Sequence, residues 1–159
     1  MFSKINYDGP ILAQYETLSA QLDALLAGET NTISNLSNAS ALLNQFLTDI
    51  NWVGFYWMQS GQLVLGPFQG LPACFTIAVG RGVCGTAAAE KRTMLVEDVH
   101  AFPGHIACDA ASNSEIVIPL MKENEVIGVL DIDSPTKARF TKEDQQGLEL
   151  FVATLMKHI

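Results

Sequence analysis

The strongest constraint in this sequence is a change of hydrophobic period near residue 50. Ile33, Leu36, Ala39, Leu42, Leu43, Phe46 and Leu47 recur at helical spacing, with Asn, Ser and Gln on the other face, which predicts an amphipathic helix ending near Asp49. From Trp52 to Trp57 every residue except Gly54 is aromatic or β-branched, and Leu63-Val64-Leu65 follows Ser60-Gly61. A helix therefore hands over directly to a β-hairpin.

The rest of the chain extends both patterns. Ile11, Leu18, Leu22, Leu25 and Leu26 precede Gly28, so residues 10 to 27 read as a first helix with Pro10 in its opening turn. Short strands are expected at residues 76 to 79 and 93 to 96. Between them stand Gly80-Arg81-Gly82-Val83-Cys84-Gly85, whose three glycines imply unusual backbone angles, and the helix-prone run Thr86 to Glu90. Residues 97 to 113 show little periodicity and read as a long irregular loop, a kind of segment that often carries function. Two apolar strands, Glu115 to Lys122 and Glu125 to Asp133, flank Glu123-Asn124 as a second hairpin central to the sheet. Thr141, with Asp144 three residues on, opens a last helix with a variant of the capping box. Helices at both ends and antiparallel strands between them give an α+β fold. Residues 1–159 form one domain, with no repeat or linker to divide it.

Composition narrows the function. Seventeen acidic residues against nine basic ones leave a net charge of −8 with no Lys/Arg cluster. That charge repels a phosphate backbone, so nucleic acid and anionic membrane are not expected partners. No run reaches membrane-spanning length and the first residues lack a secretory pattern, so a cytoplasmic location is expected. Three cysteines, Cys74, Cys84 and Cys108, form no even disulfide set in a reducing compartment. They leave packing, metal binding or thiol chemistry.

Each cysteine has two readings. Cys84 lies between glycines in a turn leading into a helix, where the helix dipole would favour thiolate; otherwise it is a small buried hydrophobe. Cys108 sits in the long loop beside Asp109 and near His105, where core packing explains it poorly. Cys74 follows Gly70-Leu71-Pro72-Ala73 at a strand-to-loop junction. Zinc held by the three cysteines with His100 or His105 is a competitor, but the spacings of ten and 24 contain no C-x-x-C knuckle.

The polar and aromatic candidates lie on the strands. Asp131 and Asp133 alternate with Leu130 and Ile132, so both carboxylates share a face, where they are costly unless paired. Glu115 on the partner strand would share it only across a connection with an odd number of residues. The two-residue turn places Glu115 on the opposite face. Trp52 and Tyr56 alternate about Gly54 and share a face, in a core or in a ligand cavity.

Asn51-Trp52-Val53-Gly54-Phe55-Tyr56, Gly80-Arg81-Gly82-Val83-Cys84-Gly85, Cys108-Asp109, Ser114-Glu115-Ile116-Val117 and Leu130-Asp131-Ile132-Asp133-Ser134-Pro135 together resemble the free methionine-(R)-sulfoxide reductases over nearly the whole chain. The resemblance implies a GAF fold, free methionine-(R)-sulfoxide as substrate, thioredoxin as reductant, and no metal or organic cofactor. It implies Cys108 as nucleophile, Cys74 as its principal resolving partner, and Cys84 as a third thiol, either accessory resolving or attacking. It also implies Trp52 and Tyr56 lining the substrate pocket, with Glu115, Asp131 and Asp133 binding the ammonium group and the sulfoxide end. A non-catalytic GAF module that senses a small ligand is the alternative, since one fold serves both purposes. The N-terminal helices are candidate surfaces for a homodimer.

Overall fold

A computed structural model describes residues 2–159. Helices α1 (Ile11–Leu26) and α2 (Thr32–Phe46) precede the strands β1 (Trp52–Gln59), β2 (Gln62–Gly70) and β3 (Thr76–Ala78). Helix α3 (Gly82–Glu90), β4 (Met94–Val96), a 3-10 turn at Val99–Ala101, β5 (Ser114–Lys122), β6 (Glu125–Ser134) and α4 (Lys142–Leu155) follow. The α+β expectation holds: the six strands form one antiparallel sheet in the order β3-β2-β1-β6-β5-β4.

Period-two alternation divides the sheet into two unlike faces. Val53, Phe55, Ile116, Ile118, Leu120, Leu130 and Ile132 project into a large apolar core shared with α1, α2 and α4. Trp52, Tyr56, Val117 and Val129 project the other way, into a smaller cluster with α3, β3 and β4. The first face holds the fold together. The second face carries polar residues among its apolar ones.

Two local devices pin the terminal helices. Thr141 and Asp144 form a reciprocal capping box at the start of α4, as the Thr-x-x-Asp spacing predicts. Asp144 also accepts a hydrogen bond from the Tyr15 hydroxyl at 2.7 Å, which ties α4 to α1. Asn31 caps α2 by accepting from the Ser34 amide.

The second hairpin departs from expectation in one consequential way. Its turn is the two-residue Glu123-Asn124, with Lys122 paired to Glu125. The register then shifts, because Met121 pairs with Val126 but Leu120 pairs with Gly128, leaving Ile127 as an extra residue in β6. This bulge supplies the odd residue that the turn lacks. Glu115 consequently lies opposite Asp133 and on the face of the two aspartates, not on the opposite face.

Helix α3 also starts earlier than its alanine run suggests. Gly82 is its first residue, so Cys84 lies in the first turn of the helix and not in a preceding loop. Gly80 and Gly82 adopt φ values of +88° and +63°, as the glycine spacing implies. Gly85 serves close packing instead: a Cβ there would stand 2.4 Å from the Ala78 carbonyl oxygen.

Candidate active site

The polar face of the sheet ends in a cavity between β1, β5, β6, the start of α3 and the loops carrying Cys74 and Cys108. It encloses about 530 Å³ of empty space, part of it open to solvent. Trp52 and Tyr56 supply its aromatic wall, and Cys84, Glu115, Asp131 and Asp133 line it from the strands and α3. Cys108 lines it from the loop. Of the eight residues singled out from the sequence, seven line this cavity; the eighth, Cys74, is bonded to one of them.

That bond is a disulfide from Cys74 to Cys108, with 5.6 Å between the Cα atoms and 34 residues between them in sequence. The structure is therefore the oxidised form. With two cysteines joined to each other, the arrangement in which all three would ligate one zinc ion is not assembled.

β1 holds both cysteine loops in place. The Trp52 indole N–H donates to the Leu71 carbonyl at 3.1 Å, and the Tyr56 hydroxyl donates to the Cys74 carbonyl at 3.0 Å. The Asn51 amide donates to Asp109 Oδ2 at 2.9 Å and to Ser112 Oγ at 3.1 Å. Asp109 in turn accepts from the Ala111 amide at 2.8 Å. Asn51-Trp52 thus reaches to both sides of the disulfide, positioning it through rigid sheet rather than through the loops themselves.

The carboxyl cluster is buried and crowded. Glu115 and Asp131 are 5% and 6% exposed. Their oxygens and Cys84 Sγ lie within 4.8 Å of one another, and the Cys84 thiol donates to Glu115 Oε1 at 3.9 Å. Burial pushes the Glu115 carboxyl well above the usual carboxylate range, and the Asp131 and Asp133 charges push it further. Burial does the same to Asp133, reinforced by Asp131 and Asp109. Asp131 is raised less, to about 6: burial lifts it, while hydrogen bonds from Glu115 and Cys84 favour its anion. Within the cluster the carboxylate form is best favoured at Asp131, while burial and the neighbouring charges favour the protonated forms of Glu115 and Asp133.

Asp131 Oδ1 is buried without a hydrogen-bond partner among the described residues. An ionised carboxylate with an orphaned oxygen at the base of a cavity is costly to keep. A cationic group placed against that oxygen would offset the cost.

The expectation of a Cys84 thiolate is overturned. The helix dipole is outweighed by burial and by the nearby Asp131, Glu115 and Asp133, which hold the Cys84 thiol well above its ordinary range. Cys84 is 4% exposed and packs within the smaller apolar cluster, as the plainer reading of it has it.

Arg81 and Ser112 line the cavity without having been singled out from the sequence, and His105, weighed there only as a zinc ligand, lines it too. Arg81 brings a cation to the cavity, and its place beside two glycines was the available signal. His105 lines the cavity with Nδ1 buried and unpartnered. Burial first, and then His100, lower its pKa, which favours a neutral ring. Ser112 is visible only through its contact with Asn51, 61 residues away.

Comparison with known proteins identifies the family. Residues 21–159 match the GAF domain family. The chain is 60% identical over 143 residues to the free methionine-R-sulfoxide reductase of Escherichia coli, covering 90% of this chain and 87% of that one. Among solved structures it superposes on a Neisseria meningitidis free methionine-R-sulfoxide reductase in complex with its substrate with a TM-score of 0.92 and 41% identity, covering 98% and 94% of the two chains. It superposes on fRMsr of Staphylococcus aureus, also in complex with substrate, with a TM-score of 0.87 and 50% identity over 98% and 99%. The chain belongs to the GAF-domain family and, within it, to the free methionine-R-sulfoxide reductases.

Proposed function

We propose that this protein reduces free L-methionine-(R)-sulfoxide to methionine by a thiol cycle and is recycled by thioredoxin. The observation that carries the reading is the union, at one cavity, of a disulfide-linked cysteine pair and a buried carboxylate with one unpartnered oxygen.

Asp131 receives the substrate's ammonium group. A free amino acid carries that charge, whereas an internal methionine of a peptide does not, so the pairing selects free substrate. Arg81 offers the counter-charge for the α-carboxylate. Trp52 packs against the methyl end, which gains positive character as the sulfoxide oxygen accepts a hydrogen bond.

The Cys108 thiolate attacks the sulfoxide sulfur while a protonated acid donates to the sulfoxide oxygen, because an undonated oxide is a poor leaving group. Glu115 is the stronger candidate than Asp133, being more deeply buried, with its protonated form favoured by that burial and then by both aspartates. The oxygen passes to Cys108 as a sulfenic acid and methionine departs. The Cys74 thiol then displaces that oxygen as water and forms the disulfide. Two thiols and one sulfoxide thus give one disulfide, one methionine and one water. That Cys108 lines the cavity and Cys74 does not supports this division of roles.

The test is NADPH oxidation with thioredoxin and thioredoxin reductase, comparing free methionine-(R)-sulfoxide, its (S) epimer and a peptide sulfoxide. Turnover with the free (R) epimer alone, lost in Cys108→Ser, is the expected result. A folded, reduced protein inactive on every epimer would leave the non-catalytic ligand-binding module as the reading.

A further inference from the structure

We propose that thioredoxin docks on a bare apolar rim formed by Leu71, Phe75, Val79 and Ile106, and attacks the disulfide at Cys74. Such docking presupposes the thiol cycle proposed above.

Large exposed apolar side chains are few in this fold, and they are unevenly placed. Phe75 is 81% exposed and Leu71 63%, and both lie within three residues of Cys74. Ile106, two residues before Cys108, is 38% exposed, and Val79, just past β3, is 41% exposed. A nearly naked phenylalanine beside one half of a disulfide buries nothing for the fold. Clustered exposed apolar residues of this kind mark an interaction surface.

The charge pattern selects the same place. All seventeen acidic residues lie outside the stretch between Asp49 and Glu90, which contains β1 to β3, Cys74 and the beginning of α3. A dithiol protein must bring its thiolate into bonding contact with a half-buried sulfur, which presses its surface against the flanking residues. The segment that carries Cys74 thus brings no carboxylate of its own against a partner with net negative charge. β3 is also an edge strand, so the rim lies at the border of the sheet and not over its centre.

The geometry assigns the point of attack. Cys108 lines the substrate cavity and is reached from inside it, whereas Cys74 lies outside that lining, next to Phe75. The thioredoxin thiolate bonds to Cys74 Sγ, the Cys74–Cys108 bond breaks, and Cys108 leaves as the thiolate needed for the next cycle. The second thioredoxin thiol, as its thiolate, then bonds to the first. Cys74 departs and takes up a proton, and thioredoxin carries away the disulfide.

Steady-state turnover at saturating sulfoxide is measured in Phe75→Ser and Phe75→Asp with varied thioredoxin, and again with dithiothreitol as sole reductant. Expected is a loss of about tenfold or more in kcat/KM for thioredoxin, a hot-spot effect, with dithiothreitol-driven turnover unchanged. Ile33→Asp, at an equally bare residue on α2 (69% exposed), should alter neither. Unchanged thioredoxin kinetics in Phe75→Asp, or equal losses with both reductants, would overturn the docking site. Absence of turnover by the wild type even with dithiothreitol would instead defeat the reductase reading itself. A thioredoxin lacking its second cysteine should be trapped as a mixed disulfide on Cys74; trapping on Cys108 would overturn the direction of attack.

Discussion

Glu115 stands directly opposite Asp133 across β5 and β6 because one residue, Ile127, is extruded from the ladder six positions before Asp133 along β6. The bulge turns a glutamate that would face the helical core into the cavity, where burial pushes its carboxyl well above the usual range. Glu115→Gln preserves a donor of similar shape but removes the transferable proton. A fall in kcat of roughly 10²-fold or more is expected, with little change in KM, measured by NADPH-coupled turnover. An unchanged kcat would shift the acid's role to Asp133.

Asp131→Asn should weaken substrate binding by about 10²-fold, since the ammonium would enter the cavity without its counter-charge. Titration of the Cys108→Ser variant with free sulfoxide isolates this loss from chemistry.

The same substitution should stabilise the unliganded fold, in a pH-dependent way. The Asp131 carboxyl is raised from 3.8 to about 6 by burial, so the native state holds its proton more tightly than the unfolded chain does. Stability therefore falls as pH rises from about 4 through about 6, by on the order of 3 kcal/mol, and the deficit persists above that range. Asp131→Asn should melt higher than wild type at pH 7, and the advantage should vanish near pH 4. Parallel melting curves at all pH values would show that Asp131 is not held in the raised state.

Cys74→Ser should release one equivalent of methionine per protein in a single turnover and then stall, with Cys108 held as a sulfenic acid that a dimedone-type probe labels in mass spectrometry. Release of many equivalents under thioredoxin would assign resolution to another thiol.

Gly147→Ala tests the junction of α1 and α4. A Cβ at Gly147 would stand 2.1 Å from the Tyr15 ring, and that ring is anchored through its hydroxyl to Asp144. Alanine is the better helix former by about 1 kcal/mol, but overpacking costs about 1–3 kcal/mol. A net loss of stability is expected on chemical denaturation, with activity at low temperature retained.

What was legible in the sequence was what depends on neighbours in the chain. The shared face of Trp52 and Tyr56, the alternation of Asp131 and Asp133 and the Thr141–Asp144 cap all follow from local periodicity, and all three are found. The side on which Glu115 emerges was not legible, because one bulged residue inverts every position beyond it. The choice between the two readings of Cys84 was not legible for a related reason: its dipole comes from adjacent residues, but the acids that oppose it lie 31, 47 and 49 positions away. The tie from Asn51 to Asp109 and Ser112 crosses about as much chain, and no pattern in either segment announces it.

The Cys74–Cys108 link closes a loop of 34 residues, and closing such a loop restricts the unfolded chain enough to favour the folded state by about 4 kcal/mol in the chain-entropy description. In the proposed thiol cycle the protein would then be sturdier just after turnover than while it waits for substrate. Its heat and protease resistance inside a cell would rise with the burden of oxidised methionine, so that the molecule keeps, in its own durability, a running record of the damage it repairs.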